Sequence, residues 1–123
     1  MSSHGADHPN ELAGTVVLIT RDGMGHGDPA LQHKLLRTFL TLLLENDQLP
    51  RAVCFYTEGV KLVAAGSPVL DLLQALHART VPLIVCQTCL NHYQLVDRLK
   101  VGLMGGMGDI IAAMGGAGKV VSI

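Results

Sequence analysis

The sequence predicts a single α/β domain built around a mainly parallel sheet that helices cover on both faces. Short runs of β-branched and aliphatic residues alternate with longer segments in which apolar residues recur at three- and four-residue steps. Such alternation requires right-handed crossovers between parallel strands. With 123 residues, of which 49% are hydrophobic, the chain can bury one core and is too short for two domains.

The first strand-helix unit has clear boundaries. Residues 14–20 form a β-branched run that predicts a buried strand, and a glycine-rich loop follows over residues 21–27. Asp28 and Pro29 then supply an N-cap residue and a proline at the first helical position. The helix predicted to follow ends at residue 46 or 47, and its apolar face consists of Leu31, Leu35, Leu36, Phe39, Leu42 and Leu43.

A second unit follows the same order. Residues 52–56 predict a strand, residues 57–59 a turn, and Ser67 with Pro68 a second helix start. The rest of the chain is expected to form a strand over 81–85, a helix from Cys89 to about Leu99 capped by Thr88, a strand over 101–104, a helix over 109–114 and a strand over 119–123.

Composition excludes several classes of function. Residues 1–13 are predicted to be a disordered polar leader, without a secretory signal, before a domain that spans residues 14–123. The 9 basic and 10 acidic residues are scattered, and only four residues are Phe or Tyr, so neither a nucleic-acid partner nor a membrane partner is expected. We expect a cytoplasmic protein.

The three cysteines carry the functional signal. A disulfide framework is not expected in a reducing compartment, and Cys54, inside a predicted strand, is interpreted as a core residue. Cys86 and Cys89 directly follow the third strand, and sites in parallel α/β folds lie at the carboxyl ends of strands. Because a helix N-terminus there favours the reactive thiolate, we predict thiol chemistry at this pair.

The spacing of the two cysteines leaves several chemistries open. A dithiol couple would use Cys86 as nucleophile and Cys89 as resolver, and a persulfide carrier would hold sulfur on one thiolate. Packing as small apolar residues is the structural alternative. Of the further ligands that zinc would need, only His92 is close, so no metal is predicted. His92 and Tyr93 are candidate supporting residues, as a proton donor and a hydrogen-bonding phenol.

The glycine-rich loop does not predict a nucleotide site. It lacks both the G-x-G-x-x-G register and the P-loop lysine, and Asp22 and Asp28 would repel phosphate. The shortage of aromatic residues also argues against flavin, so no cofactor is predicted. We interpret the loop as a tight turn beside the site, in which Gly25 precedes His26 and His26 faces the thiols.

Five segments together resemble the DsrE/DsrF-like family, and within it the DsrE-like domain of YedF-type proteins, which are regarded as sulfurtransferases. The matching segments are Thr15 to Ile19, Asp22 to Asp28, Phe55 to Leu62, Gly66 to Leu70 and Cys86 to Tyr93. The last segment includes Thr88 and Asn91, which we add to the candidate supporting residues. Gln94 stands where relatives commonly have glycine.

The resemblance implies a flavodoxin-like three-layer sandwich with a mostly parallel five-stranded sheet, assembled as a trimer or hexamer. It also implies a sulfur relay, linked to selenium metabolism, in which Cys86 carries a persulfide. Donor and acceptor would be other proteins, among them a small sulfur carrier acting in trans. The alternatives are a non-catalytic oligomeric binding protein with structural cysteines and a CxxC dithiol oxidoreductase.

Overall fold

A five-stranded parallel sheet forms the centre of the protein in the computed structural model, which describes residues 9–123. The strand order is β4-β3-β2-β1-β5, and all four pairings between neighbouring strands are parallel. The strands are β1 (Thr15–Ile19), β2 (Ala52–Phe55), β3 (Leu83–Cys86), β4 (Leu103–Gly105) and β5 (Lys119–Ser122). This architecture confirms the predicted α/β fold.

Helices lie on both faces of the sheet. They are α1 (Pro29–Glu45), α2 (Leu70–Ala78), α3 (Gln87–His92) and α4 (Met107–Gly115), together with two 3-10 helices, Thr57–Val63 and Val96–Arg98. The chain steps from β1 to β4 in one direction, so right-handed crossovers place α1 and α2 on one face, where they contact each other. Only the connection from β4 to β5 returns across the sheet, and it carries α4 over the opposite face.

The main core lies between the sheet and the pair α1 and α2. Parallel strands buried on both faces are expected to be almost entirely apolar, and β1 and β2 have no exposed residue. The largest side chains with almost no solvent exposure are Phe55, Ile19, Leu36, Leu40, Leu62, Leu73, Leu76, Leu83, Leu90 and Ile110.

The predicted start of α1 is confirmed. The Asp28 carboxylate accepts a hydrogen bond from the Leu31 N–H at 3.3 Å, and Pro29 is the first helical residue. The predicted start of α2 at Ser67 and Pro68 is wrong, because α2 begins at Leu70. The Ser67 hydroxyl accepts the N–H of Val69 at 3.2 Å, so it closes a local turn before the helix instead of capping it.

The prediction for α3 is also wrong in its bounds. Cys86, and not Thr88, is the N-cap residue, and the helix ends at His92. It ends there because Gln94 adopts the left-handed conformation, with φ 59°. The N–H of Gln94 bonds to the carbonyl of Asn91 and the N–H of Leu95 to that of Leu90, which is the Schellman pattern of helix termination.

The predicted turn at residues 57–59 is the beginning of the longer 3-10 helix Thr57–Val63. Gly59 is buried against the end of β1, where a Cβ atom would overlap the carbonyl group of Ile19. Glycine is therefore required at this position, which lies within one of the segments that carry the family resemblance.

Part of the predicted leader lies outside the described residues, which begin at Pro9. The side chain of Asn10 donates to the carbonyl of Leu49 at 2.8 Å, and the Gln48 side chain donates to the carbonyl of Pro9 at 3.1 Å. The segment just before β1 is thus hydrogen-bonded to the connection between α1 and β2.

Replacing Gln94 with glycine is expected to stabilise the protein. Glycine adopts the left-handed conformation without the steric clash of a Cβ atom. The relief of this clash outweighs the larger conformational entropy of glycine in the unfolded chain, so the free energy of unfolding should rise by about 1 kcal/mol. Urea denaturation followed by circular dichroism measures this. Asn91→Gly, at a right-handed position inside the same helix, is the matched control and should lower the stability. A loss of stability in Gln94→Gly would contradict the explanation given for the end of α3.

Candidate functional site

The two predicted cysteines lie together at the carboxyl edge of the sheet. Cys86 is the last residue of β3 and the N-cap residue of α3, and only 3% of it is exposed. Cys89 lies in the first turn of α3 and is partly exposed. The two side chains are near neighbours, and Cys86 is close enough to influence the pKa of the Cys89 thiol. The structure therefore brings both thiols into one site, with Cys89 the more accessible of the two.

A backbone group from the neighbouring strand completes the surroundings of Cys89. The N–H of Thr57, just after β2, donates to the Sγ atom of Cys89 at 3.0 Å. Thr57 has φ 51°, a left-handed conformation that a β-branched residue rarely adopts. Such strained residues cluster at functional sites. This contact could not be predicted from the residue types, because the donor is a main-chain group.

The environment raises the pKa of the Cys89 thiol above its ordinary value of 9.0. Partial burial is the main cause, the Thr57 N–H acts in the opposite direction, and the neighbouring Cys86 side chain adds a smaller increase. Burial alone raises the pKa of Cys54 to about 11, and Cys54 is completely buried in β2, as expected of a core residue. Cys54 is thus outside the site.

The predicted supporting residues of α3 lie in two different environments. Thr88, Asn91 and His92 are exposed, whereas Tyr93 is partly buried, with its ring edge-on to that of His92 at 4.8 Å between centroids. The ammonium group of Lys61 lies 4.7 Å from the centre of the Tyr93 ring, a cation–π contact. Lys61 was not among the predicted site residues.

The loop after β1 turns toward α1. The N–H of Met24 donates to the main-chain carbonyl of Gln32, and that of Gly27 donates to the Gln32 side chain. Gly25 and His26 are both exposed. The loop follows β1, whereas the thiols follow β3, and β2 lies between these two strands. No described contact joins His26 to the thiols, so their proximity stays a prediction.

A carboxylate that is distant in the sequence lies on the other side of Cys86. Cys86 pairs with Gly105 of β4, and a Cβ atom at Gly105 would come within 2.9 Å of the carboxylate of Asp109. That carboxylate accepts the N–H of Gly106 at 2.8 Å, at the start of α4. Only the pairing of β3 with β4 brings Asp109 to this end of the sheet.

The described residues contain neither a metal-binding cluster nor a membrane-spanning helix. No group of three or more His, Cys, Asp or Glu side chains within residues 9–123 lies close enough to hold a metal ion. No helix in this part of the chain has both the length and the apolar character needed to cross a membrane.

The comparison with known proteins identifies the family. The model of the DsrE/DsrF-like family matches residues 16–123. The chain belongs to the DsrE/DsrF-like family. This finding confirms the resemblance seen in the sequence.

Two solved structures share the fold of this DsrE/DsrF-like chain. The ychN protein from E. coli aligns with a TM-score of 0.64 at 20% identity, over 89% of this chain and 99% of its own. MTH1491 from Methanobacterium thermoautotrophicum, titled a protein of unknown function, aligns with a TM-score of 0.62 at 20% identity, over 87% and 96%. No curated protein sequence matches this chain. At such identities the two structures establish the fold alone.

The raised pKa of Cys89 predicts the pH dependence of its alkylation. Because only the thiolate reacts, labelling by iodoacetamide should be slower at pH 7 than for an ordinary cysteine and should rise about tenfold per pH unit up to pH 9. Cys86→Ala removes a cause of the shift, so labelling of Cys89 at pH 7 should become faster. Peptide mass spectrometry measures each site, and Cys54 serves as the unreactive internal control. A Cys89 rate that is constant from pH 6 to pH 9 would show a lowered pKa instead.

Proposed function

We propose that this protein relays sulfane sulfur as a cysteine persulfide on the Cys86 and Cys89 pair. The observation that carries the proposal is the placement of both thiols within the first turn of α3 at the carboxyl edge, with the Thr57 N–H directed at the Cys89 sulfur. An N–H donor at this position stabilises negative charge on that sulfur. Membership of the DsrE/DsrF-like family supports the same role.

Uptake and delivery of the sulfur each consist of one thiolate attack. The Cys89 thiolate attacks the sulfane sulfur of a donor persulfide, the donor S–S bond breaks, and the donor leaves as a thiolate that takes up a proton. The acceptor thiolate then attacks the terminal sulfur of the new persulfide, and the cysteine leaves as a thiolate. Neither step changes the total number of sulfur–sulfur bonds, so no external oxidant or reductant is needed.

The two cysteines have different parts in this proposal. The family resemblance assigns the carrier role to Cys86, whereas the geometry makes Cys89 the more accessible sulfur. The Cys86 thiolate, which lies in the same turn of α3 as Cys89, takes the terminal sulfur from Cys89 by the same kind of attack. Sulfur is thus taken up at Cys89 and held on Cys86, away from water. Proteins, including a small sulfur carrier in trans, are the proposed acceptors.

The same placement of the two thiols also favours a second candidate, a dithiol oxidoreductase. In that reaction the pair reduces a substrate disulfide and itself forms the Cys86–Cys89 disulfide. The near-complete burial of Cys86 favours a third candidate, a binding protein whose cysteines are structural. The products distinguish the three: a persulfide, an intramolecular disulfide or no covalent change.

Sulfur uptake is expected to depend on both cysteines of the pair. The reduced protein, incubated with a sulfane-sulfur donor, should gain the mass of one sulfur atom. Cys89→Ser should abolish rapid uptake, because the accessible thiolate is lost, and Cys86→Ser should shorten the lifetime of the persulfide, because Cys89 then holds it in contact with water. Intact-protein mass spectrometry over time measures both effects, and a selenium-containing donor tests the selenium link in the same assay.

Cys54→Ser is the matched control and should take up sulfur as the unmodified protein does. Uptake that persists in the variant lacking both Cys86 and Cys89 would contradict the proposal. An undiminished persulfide lifetime in Cys86→Ser would contradict only the holding role of Cys86 and would leave sulfur uptake at Cys89 standing.

We further propose that the chain assembles with copies of itself through the face of the sheet that α4 covers. This face is apolar and thinly covered, since α4 has only nine residues. Strand register and alternation direct Leu103 of β4 and Val120 of β5 toward it. Leu103 is 68% exposed and Ile111 of α4 is 58% exposed, and a second copy would bury both.

A trimer or hexamer is therefore expected in solution, as the resemblance implies. Introducing Leu103→Lys together with Ile111→Lys should yield monomers with an unchanged circular dichroism spectrum, because both charges would be buried in the interface. Leu42→Lys, at a 48% exposed apolar position on α1, should leave the assembly intact. Light scattering after size exclusion measures the mass. A monomeric unmodified protein, or dissociation by Leu42→Lys only, would contradict this assembly.

A further inference from the structure

A cleft near the carboxyl edge of the sheet is lined by groups from several connections, and neither Cys86 nor Cys89 is part of its wall. Its volume is about 350 Å³, within the range of about 300–1,000 Å³ usual for small-molecule sites. Asp22 comes from the loop after β1, His33 from α1, Lys61 from the 3-10 helix after β2, and Tyr93 from the end of α3. Small and mostly apolar residues complete the wall: Ala64, Ala65, Gly66, Ser67, Pro68 and Leu95.

One side of the cleft is cationic. Lys61 lies over the Tyr93 ring, and its ammonium group is 3.2 Å from the Glu58 carboxylate. Both members of this ion pair are substantially exposed, so the pair itself contributes little and the ammonium group has donors left for a ligand. This arrangement suits a ligand carboxylate, with the Tyr93 phenol as a further donor.

The side nearer β1 is anionic. The Oδ1 atom of Asp22 lies 3.2 Å from Nε2 of His33, which leaves Oδ2 free of any described hydrogen bond. Asp22 follows β1 and Tyr93 follows β3, and these strands lie on either side of β2, about 10 Å apart. A ligand that satisfies both sides must carry a cationic and an anionic group separated by several bonds.

The cationic side is continuous with the thiol site. Tyr93 lies one helical turn after Cys89, a rise of about 6 Å, so both side chains are on the same side of α3. Thr57 and Lys61 show the same four-residue spacing on the 3-10 helix, and they contact Cys89 and Tyr93 respectively. A molecule held by Lys61 and Tyr93 is therefore beside the sulfur of Cys89.

From these contacts we infer that the cleft binds a low-molecular-weight zwitterionic thiol, of the size of a short peptide, whose persulfide is the sulfur donor. Lys61 binds its carboxylate, Asp22 binds its ammonium group, and its sulfur reaches Cys89. This inference rests on the proposed sulfur relay for the role of the ligand, whereas binding itself is independent of any sulfur transfer.

An unreactive probe tests binding separately from chemistry. S-methylglutathione carries both charges and has no thiol to exchange, and 2-(methylthio)ethanol is the uncharged comparison. Millimolar S-methylglutathione should shift the amide resonances of His33, Lys61 and Tyr93 in a ¹⁵N–¹H NMR titration to saturation, and the uncharged probe should not. Lys61→Met and Asp22→Asn should each weaken its affinity about tenfold, the effect of losing one charged hydrogen bond.

Lys100→Met and Glu45→Gln are the matched controls, since both residues are exposed and lie outside the cleft, and they should leave the affinity unchanged. Absence of saturable shifts, shifts elsewhere on the protein, or equal affinity in all four variants would each overturn the inference. Sulfur uptake from a protein donor without S-methylglutathione binding would overturn this inference and leave the sulfur relay standing. Binding without any sulfur uptake would overturn the relay instead.

Discussion

The close approach of Gly59 to the carbonyl of Ile19 determines the geometry of the site. It lets the 3-10 helix after β2 lie directly on the carboxyl edge of the sheet, where Val60, Leu62 and Val63 are fully buried. From this position the same short helix presents a backbone N–H to Cys89 at its first residue and an ammonium group to Tyr93 four residues later. A side chain at Gly59 would push the helix off the sheet and separate both contacts.

The thiol pair combines two environments that a single cysteine could not provide. The end of β3 buries Cys86 against the neighbouring strands, whereas one helical turn carries Cys89 to the surface. Burial disfavours the charge on Cys89 and the Thr57 N–H favours it, and burial has the larger effect on its pKa.

Local sequence patterns predicted the elements better than their ends. The capping pair Asp28 and Pro29 acts within four residues, so it could be recognised, and α1 begins as predicted. Ser67 has a side chain suited to a helix cap, but it closes a turn instead. The end of α3 depends on Gln94, whose left-handed conformation is not one that glutamine intrinsically favours. In both cases hydrogen bonds of the folded chain select a conformation that the local sequence alone leaves open. The supporting role of His26 stays a prediction, because the loop that holds it bonds to α1.

The sequence by itself determined the α/β class, the family, and the position of Cys86 and Cys89 just after a buried strand, because hydrophobic periodicity and residue spacing are written along the chain. The tertiary structure alone decided which cysteine is accessible and which groups surround the pair. Thr57, Lys61, Asp22 and Asp109 come from other connections in the chain, and only parallel pairing brings those connections to one edge. At Thr57 the group that contacts Cys89 is the backbone N–H, which every residue except proline has. The residue type at this position therefore could not indicate the contact.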